Sequence, residues 1–234
     1  MSPRPRRCSE PMTSRMVRES TRVATRKLSR GKREEQEVPV GDCQREFGEL
    51  ARRDGIELVE TTGLGLTYSG HLALPPEVGG IAALLADIFR ALEGDEQDLA
   101  SGHHGPLLHD WFHPPSRTLI EVDEYQHFSS DRLTTLKKYP NEARLGFDLL
   151  EYQALCHTHN ARADKYRYAK EARGFRCPGG RRAQRAYFDT LRDLALPALG
   201  FPPVVRVPAT ENDAALAYGR VKKRLKALLE TGTR

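Results

Sequence analysis

The sequence predicts an α/β (α+β) domain, a small mixed sheet flanked by helices, with an irregular to helical segment inserted. Three observations predict it. Apolar residues recur at helical spacing in three separate stretches, Val78 to Leu92, Ala183 to Ala195 and Leu216 to Leu228. Short apolar runs bounded by Pro, Gly and Ser, at 106–114, 117–126 and 202–208, read as strands. The order is helix, strand, strand, insertion, helix, strand, helix, which places mixed elements around one sheet.

Each element has its own signal. "DCQREFGELARRDG" predicts a first helix, with Asp42 as N-cap, Phe47 and Leu50 as its apolar edge and Gly55 as its end. "IELVETTGLGLTYSG" alternates weakly around glycines and predicts one or two short strands. Val78, Ile81, Leu85, Ile88 and Leu92 step by three and four and line one face of the next helix, while "DLASGHHG" reads as a loop. "PLLHDWFHP" and "RTLIEVDEYQ", joined by the turn "HPPSR", predict an antiparallel hairpin. Residues 129–183 read as irregular and polar with short helical pieces. A helix over "RAQRAYFDTLRDLALPAL", stopped by Gly200, then a strand "PPVVRVP" and a basic amphipathic helix with Leu216, Val221, Leu225 and Leu228 on one side complete the chain.

With 234 residues, 38% of them hydrophobic and 29% charged, the chain can bury one sizeable core. No apolar run approaches the roughly 18 residues of a membrane span, and the basic N-terminal stretch lacks the apolar middle of a secretory signal. The expectation is a cytoplasmic protein without a membrane partner. The four cysteines are scattered and suggest no disulfide framework. The formal charge of +5 is uneven: residues 1–33 hold 11 Lys/Arg and 2 Asp/Glu, a net +9, which leaves −4 for the remainder. The expected organisation is a basic disordered tail over 1–40, an accessory segment over 41–76, a core over 77–208 with an insertion at 129–180, and a C-terminal helix over 209–234. The tail suits a polyanion; a solvated leader, or a start at Met12 or Met16, explains the same composition.

The chemistry concentrates in "TLIEVDEYQHF". Strand alternation puts Glu121 and Asp123 on one face with Val122 on the other, and the hairpin brings Asp110 from the first strand toward them. Convergent carboxylates suit a hard divalent cation. These residues resemble the core of the PD-(D/E)XK nuclease superfamily, and most of all its very-short-patch-repair-like and DUF559-type branch. That branch runs Asp-Phe, a Pro turn, a strand ending Glu-x-Asp-Gly, then a His; here Asp110-Trp111, Pro114-Pro115, Glu121-Val122-Asp123 and His127 stand at those points. Downstream, Gln184, Asp189, Arg192, Asp193, Gly200 and Arg206 follow the branch's helix and Arg-ended strand. The chain departs from the motif in having Asp123 for its Lys and Glu124 for its Gly, so Gln126, His127 or Lys137 must fill the third role.

The resemblance implies a restriction-endonuclease-like core and hydrolysis of DNA phosphodiesters. Asp110, Glu121 and Asp123 would hold Mg²⁺ (or Mn²⁺), and Gln126 or His127 would position water or contact phosphate. Arg181, Arg185, Arg192 and Arg206, clustered around the second core helix, are candidates to grip DNA phosphates; a solvated helix face explains them equally well. A degenerate core that binds nucleic acid without cutting it is a second class, motivated by the missing Lys. A third is an HNH-type or zinc-stabilised protein using Cys156, His157 and His159 with Cys43 or Cys177, although the paired ligand spacing of zinc sites is lacking. His103, His104 and His109 read either as neighbours of the metal or as members of a polar loop before the first hairpin strand, the loop being the favoured reading.

Overall fold

Every residue of the strand Thr118–Glu124 is buried, because it has helices on both faces. The computed structural model describes residues 42–102 and 104–231; the predicted N-terminal tail and His103 lie outside them. In chain order the elements are α1 (Asp42–Arg53), β1 (Val59–Thr67), α2 (Gly79–Ala91), α3 (Glu96–Ala100), β2 (Pro106–His113), β3 (Thr118–Glu124), α4 (Ser130–Leu136), α5 (Leu149–Ala163), α6 (Gly180–Ala198), β4 (Val205–Ala209) and α7 (Ala214–Thr231). The sheet order is β1-β2-β3-β4. β1–β2 and β2–β3 are antiparallel, and β3–β4 is parallel. The fold is therefore α+β, a small mixed sheet between helices. Among the described residues no helix is long and apolar enough to cross a membrane.

Strand alternation sorts the core into two halves. Ile120, Val122, Val205 and Val207 pack with Phe47 of α1 and Tyr218 of α7 on one face. Leu119 and Val204 pack with Leu85 and Phe89 of α2 and Leu191 of α6 on the other. α1 lies flat on the sheet because Gly48 meets the Trp111 indole, whose Nε1 donates to the Gln44 carbonyl at 2.9 Å. In α7 the inward residues are Ala217, Tyr218, Val221 and Leu225, while Leu216 is 42% exposed. The predicted stripe through Leu216 is thus corrected: Leu216 and Val221 are five apart and fall on different faces of a 3.6-residue helix.

Two further expectations change. "DLASGHHG" is partly helical: Asp95 caps α3 by accepting from the amides of Gln97 and Asp98. Residues 129–180 are core rather than an irregular insertion, for Leu133, Leu136, Tyr139, Phe147, Tyr152, Cys156 and Phe175 all join the half-core on the α6 side.

The sheet forks where the site lies. β2 and β3 pair at His113–Thr118, Phe112–Leu119 and Trp111–Ile120; β3 pairs with β4 from Ile120 to Glu124, so beyond Ile120 its ladder runs on the β4 side. Val59 of β1 faces Phe112 while Thr61 faces His109, so β2 takes up one extra residue as a bulge. The parting strands leave a gap, and Asp110 partly closes it by accepting the Val122 amide at 2.8 Å on its Oδ2.

Replacing Gly48 by alanine tests the close seat of α1. Alanine is the better helix former by ~1 kcal/mol, but its Cβ would overlap the Trp111 ring. The expected result is a net loss of about 1–3 kcal/mol, read as a lower urea midpoint at unchanged m-value.

Candidate functional site

A cavity of about 820 Å³ opens in the fork. β2 supplies His109 and Asp110, and β3 with the turn after it supplies Glu121, Glu124, Gln126 and His127. α6 lays Arg181, Arg185, Asp189 and Arg192 along one side, while Gln44 of α1 and Glu60 of β1 reach it from the other. The predicted residues Asp110, Glu121, Gln126 and His127 are therefore brought together, with Arg181, Arg185 and Arg192 beside them.

Asp110, half-buried, and Glu121, buried, are adjacent acids. Glu121 Oε1 lies 3.4 Å from the Asp110 amide, 3.3 Å from Arg192 Nε and 3.7 Å from His109 Nδ1. Burial, and then the Glu121 charge, hold the Asp110 carboxyl well above the usual carboxylate range. Burial also works against ionised Glu121, but the positive charges of Arg192 and Arg206 outweigh it and leave its carboxyl below the usual range. Buried negative charge that like-charge repulsion keeps from ionising fully is the condition a divalent cation relieves. Gln126 adds an acceptor: its Nε2 donates to Glu124 at 2.8 Å, and its buried Oε1 has no donor among the described residues. The donor set at the fork fits a hard cation.

Asp123 takes a different place. It does not line the cavity; Arg206 grips it at 2.9 and 3.0 Å and the Tyr152 hydroxyl donates to it at 3.1 Å. The expected convergence of Asp123 with Asp110 and Glu121 is corrected accordingly. Asp123 instead belongs with His127 and Asp189, whose ligand atoms lie within 4.8 Å of one another. This buried Asp–His–Asp cluster could hold a metal ion, in competition with Arg206 for its carboxylates. His127 Nδ1 sits 2.9 Å from Asp189 Oδ2 and 3.3 Å from Asp123 Oδ1. Burial raises the Asp189 carboxyl, yet His127 and Arg206 together carry it well below the usual range.

Arg206 is not a phosphate-binding residue. Its side chain has no exposure and joins Asp123, Asp193 at 2.7 Å and the Asp189 carbonyl at 3.0 Å. Being on the same face of the parallel ladder as its partner Glu121, it points under α6 and away from solvent. A second buried cation, Arg132 of α4, meets Asp193 at 2.6 Å, Tyr139 at 2.8 Å and Thr190 at 3.1 Å. Sequence reading missed Arg132, Tyr139 and Tyr152, and took Asp193 only as part of a pattern. One signal was available: Asp189 and Asp193 are four apart on the apolar stripe of α6, where buried acids need a buried cation.

The remaining candidates separate cleanly. His109 is buried on β2 and accepts from Arg192 Nε at 3.1 Å, so it is a strand residue of the site and not part of a loop. His104 pairs with Ser69 Oγ at 2.5 Å, away from the cavity lining. Cys156 packs in one half-core, its thiol pushed up to about 12 by burial, and Cys43 packs in the other, across the sheet; His157 is exposed. The proposed zinc set is therefore dispersed. No residue of 129–180 lines the cavity.

Two measurements follow. Arg206→Ala removes a buried cation shared by Asp123, Asp189 and Asp193 and is expected to cost about 3–5 kcal/mol, read by urea titration. For Asp110 the sign is set by its lowered acidity: proton uptake on folding stabilises below the ordinary 3.8 and that contribution is lost as pH rises through the higher folded value. Asp110→Asn should therefore melt above the parent at pH 7–8, by a few degrees, and converge with it near pH 3. A variant less stable than the parent at pH 8 would contradict this account.

No curated protein and no solved structure matches the chain. Residues 87–230 match the model of a family of unknown function, DUF7255. That range spans Asp110, Glu121, His127, Asp189 and Arg206. The chain belongs to the DUF7255 family.

Proposed function

We propose that the protein is a metal-dependent phosphodiesterase acting on DNA, with its site in the fork between β2 and β3. The observation that carries this reading is the meeting of half-buried Asp110 and buried Glu121, two mutually repelling carboxylates, in a cavity edged by Arg181, Arg185 and Arg192. An acidic floor suits a cation, and a basic edge suits the phosphates on either side of a scissile bond.

Asp110 and Glu121 would hold Mg²⁺ or Mn²⁺, which when bound polarises a phosphate and favours hydroxide over water. The protein's own groups do the rest. His127 keeps Nδ1 against Asp189, which leaves Nε2 as the nitrogen for proton transfer to or from an attacking water or a leaving oxygen. It thereby takes the role left vacant where the motif's Lys is Asp123. Gln126 Oε1 can accept from the attacking water. Arg192, already against Glu121 at 3.3 Å, fixes that carboxylate and screens it from the phosphate charge.

The second reading, binding without cleavage, is favoured by one observation: Asp123 occupies the motif's Lys position and is committed to Arg206. The experiment is cleavage of end-labelled single- and double-stranded DNA with Mg²⁺ or Mn²⁺. Cleavage that EDTA abolishes, that Glu121→Gln removes and that His127→Asn slows about 10²-fold or more is the expected outcome. DNA that is bound but left intact by the parent under every metal condition establishes the binding module instead.

A further inference from the structure

Residues 34–234 are acidic overall at −4, yet residues 162–182 within them hold eight Lys/Arg and two Asp/Glu. Part of this positive charge is internal. Arg173 donates to the carbonyls of Asp98 and Leu99, Arg176 pairs with Asp98 at 2.9 Å, and Arg182 pairs with Asp131 and Asp164. Arg162, Lys165, Arg167 and Lys170 are exposed and have no carboxylate partner among the described residues.

These cations alternate with aromatic rings that connect to the fork. The Arg162 guanidinium lies 3.8 Å over the Tyr125 ring, and Tyr125 directly follows β3. Tyr166 meets Tyr125 edge-on at 5.9 Å, with the Arg167 and Arg185 guanidinium groups 5.2 and 5.7 Å from the Tyr166 ring. Arg185 itself lines the cavity and donates to the Gln126 carbonyl at 3.2 Å. Tyr168 is 47% exposed. A ladder of guanidinium and phenol planes thus leaves the cavity and continues along the segment after α5.

We propose that this array is a track for an unpaired nucleic-acid strand leading to the cavity, with phosphates on Arg162, Lys165, Arg167 and Lys170 and bases against Tyr166 and Tyr168. The identity of the cavity as a phosphodiesterase site is taken from the reading above. Charge alone would serve a duplex equally well. The interleaved rings favour a single strand, whose bases expose stackable faces that a duplex hides within itself. A wall of side chains that reads no base edge also implies tolerance of sequence.

The test is fluorescence anisotropy on the full chain in EDTA, so that binding is read without cleavage. The probes are a labelled single strand of about 20 nucleotides, long enough for a stacking track, and the duplex of the same sequence. Two variants are compared with the parent, Lys165→Glu/Arg167→Glu/Lys170→Glu and Tyr168→Ala, with far-UV circular dichroism melts as the folding control. The basic residues 1–33 are common to all, so differences between the proteins belong to the track.

The triple variant should lose more than tenfold in single-strand affinity, with the slope of log K against log salt shallower by about 0.7 per lost phosphate contact. Tyr168→Ala should weaken single-strand binding about fivefold or more at unchanged slope and leave the duplex unaffected. Parent-like binding by the triple variant overturns the track. So does tighter binding of duplex together with an indifferent Tyr168→Ala, or competition by polyglutamate as effective as by the single strand. The two readings fail separately. Track-dependent binding without metal-dependent cleavage rejects the phosphodiesterase and keeps the track, whereas cleavage with parent-like binding by the triple variant does the reverse.

Discussion

The guanidinium of Arg206 is the point on which the interior depends. It lies between the sheet and α6 and meets Asp123 from β3 and both Asp189 and Asp193 from α6. Three carboxylates in so dry a place cannot remain ionised without a cation among them. Arg206 can reach all three only because β4 runs parallel to β3 with Glu121 opposite Arg206 and Asp123 two residues along. A one-residue slip would turn it to the opposite face. Buried ion networks of this kind rarely stabilise a fold more than apolar packing would. What this one specifies is register, the seating of α6 and, through Asp189, the orientation of the His127 ring.

α6 distributes opposite charges by angle. Arg181, Arg185 and Arg192 fall along its cavity side, Asp193 turns inward to Arg206 and Arg132, and Asp189 stands between, in the cavity lining and against Arg206 at once. Residues only three apart, such as Asp189 and Arg192, mark the border and lie within 3.5 Å of each other. The helix begins without a side-chain cap, from Gly179 in the left-handed region. Gly180 is pressed against the Phe175 carbonyl so closely that no Cβ would fit. The start of α6 is therefore set by its contact with the preceding segment more than by local capping chemistry, and this places the first two cavity arginines.

Much of this arrangement was legible in the sequence. The turn "HPPSR" between two apolar runs gave the hairpin, and with it the meeting of Asp110 and Glu121; the apolar steps of α2 and α6 gave their inward faces. The rest was hidden for identifiable reasons. Arg132, Tyr139 and Tyr152 are polar residues in a core, so their segment reads like surface and the whole of 129–180 resembled an appendage. Arg206 has the composition of a phosphate ligand and the location of a structural cation, and only the ladder with β3 distinguishes the two. The face occupied by Asp123 followed correctly from alternation, but its partner Arg206 came from a strand 83 residues away, beyond the reach of local pattern.

The carboxylate of Asp110 also stands in for a missing backbone acceptor, since it takes the Val122 amide where β2 and β3 part. A folding requirement and a chemical one therefore coincide at a single position. Selection for a correctly forked sheet alone would keep Asp or Asn there, even in a lineage that had lost every activity of the site. His127, half-buried at the cavity edge and satisfied on one ring nitrogen only, carries less of that architectural burden. Drift at His127, more than persistence at Asp110, would therefore be the informative record of whether descendants of this fold still perform chemistry.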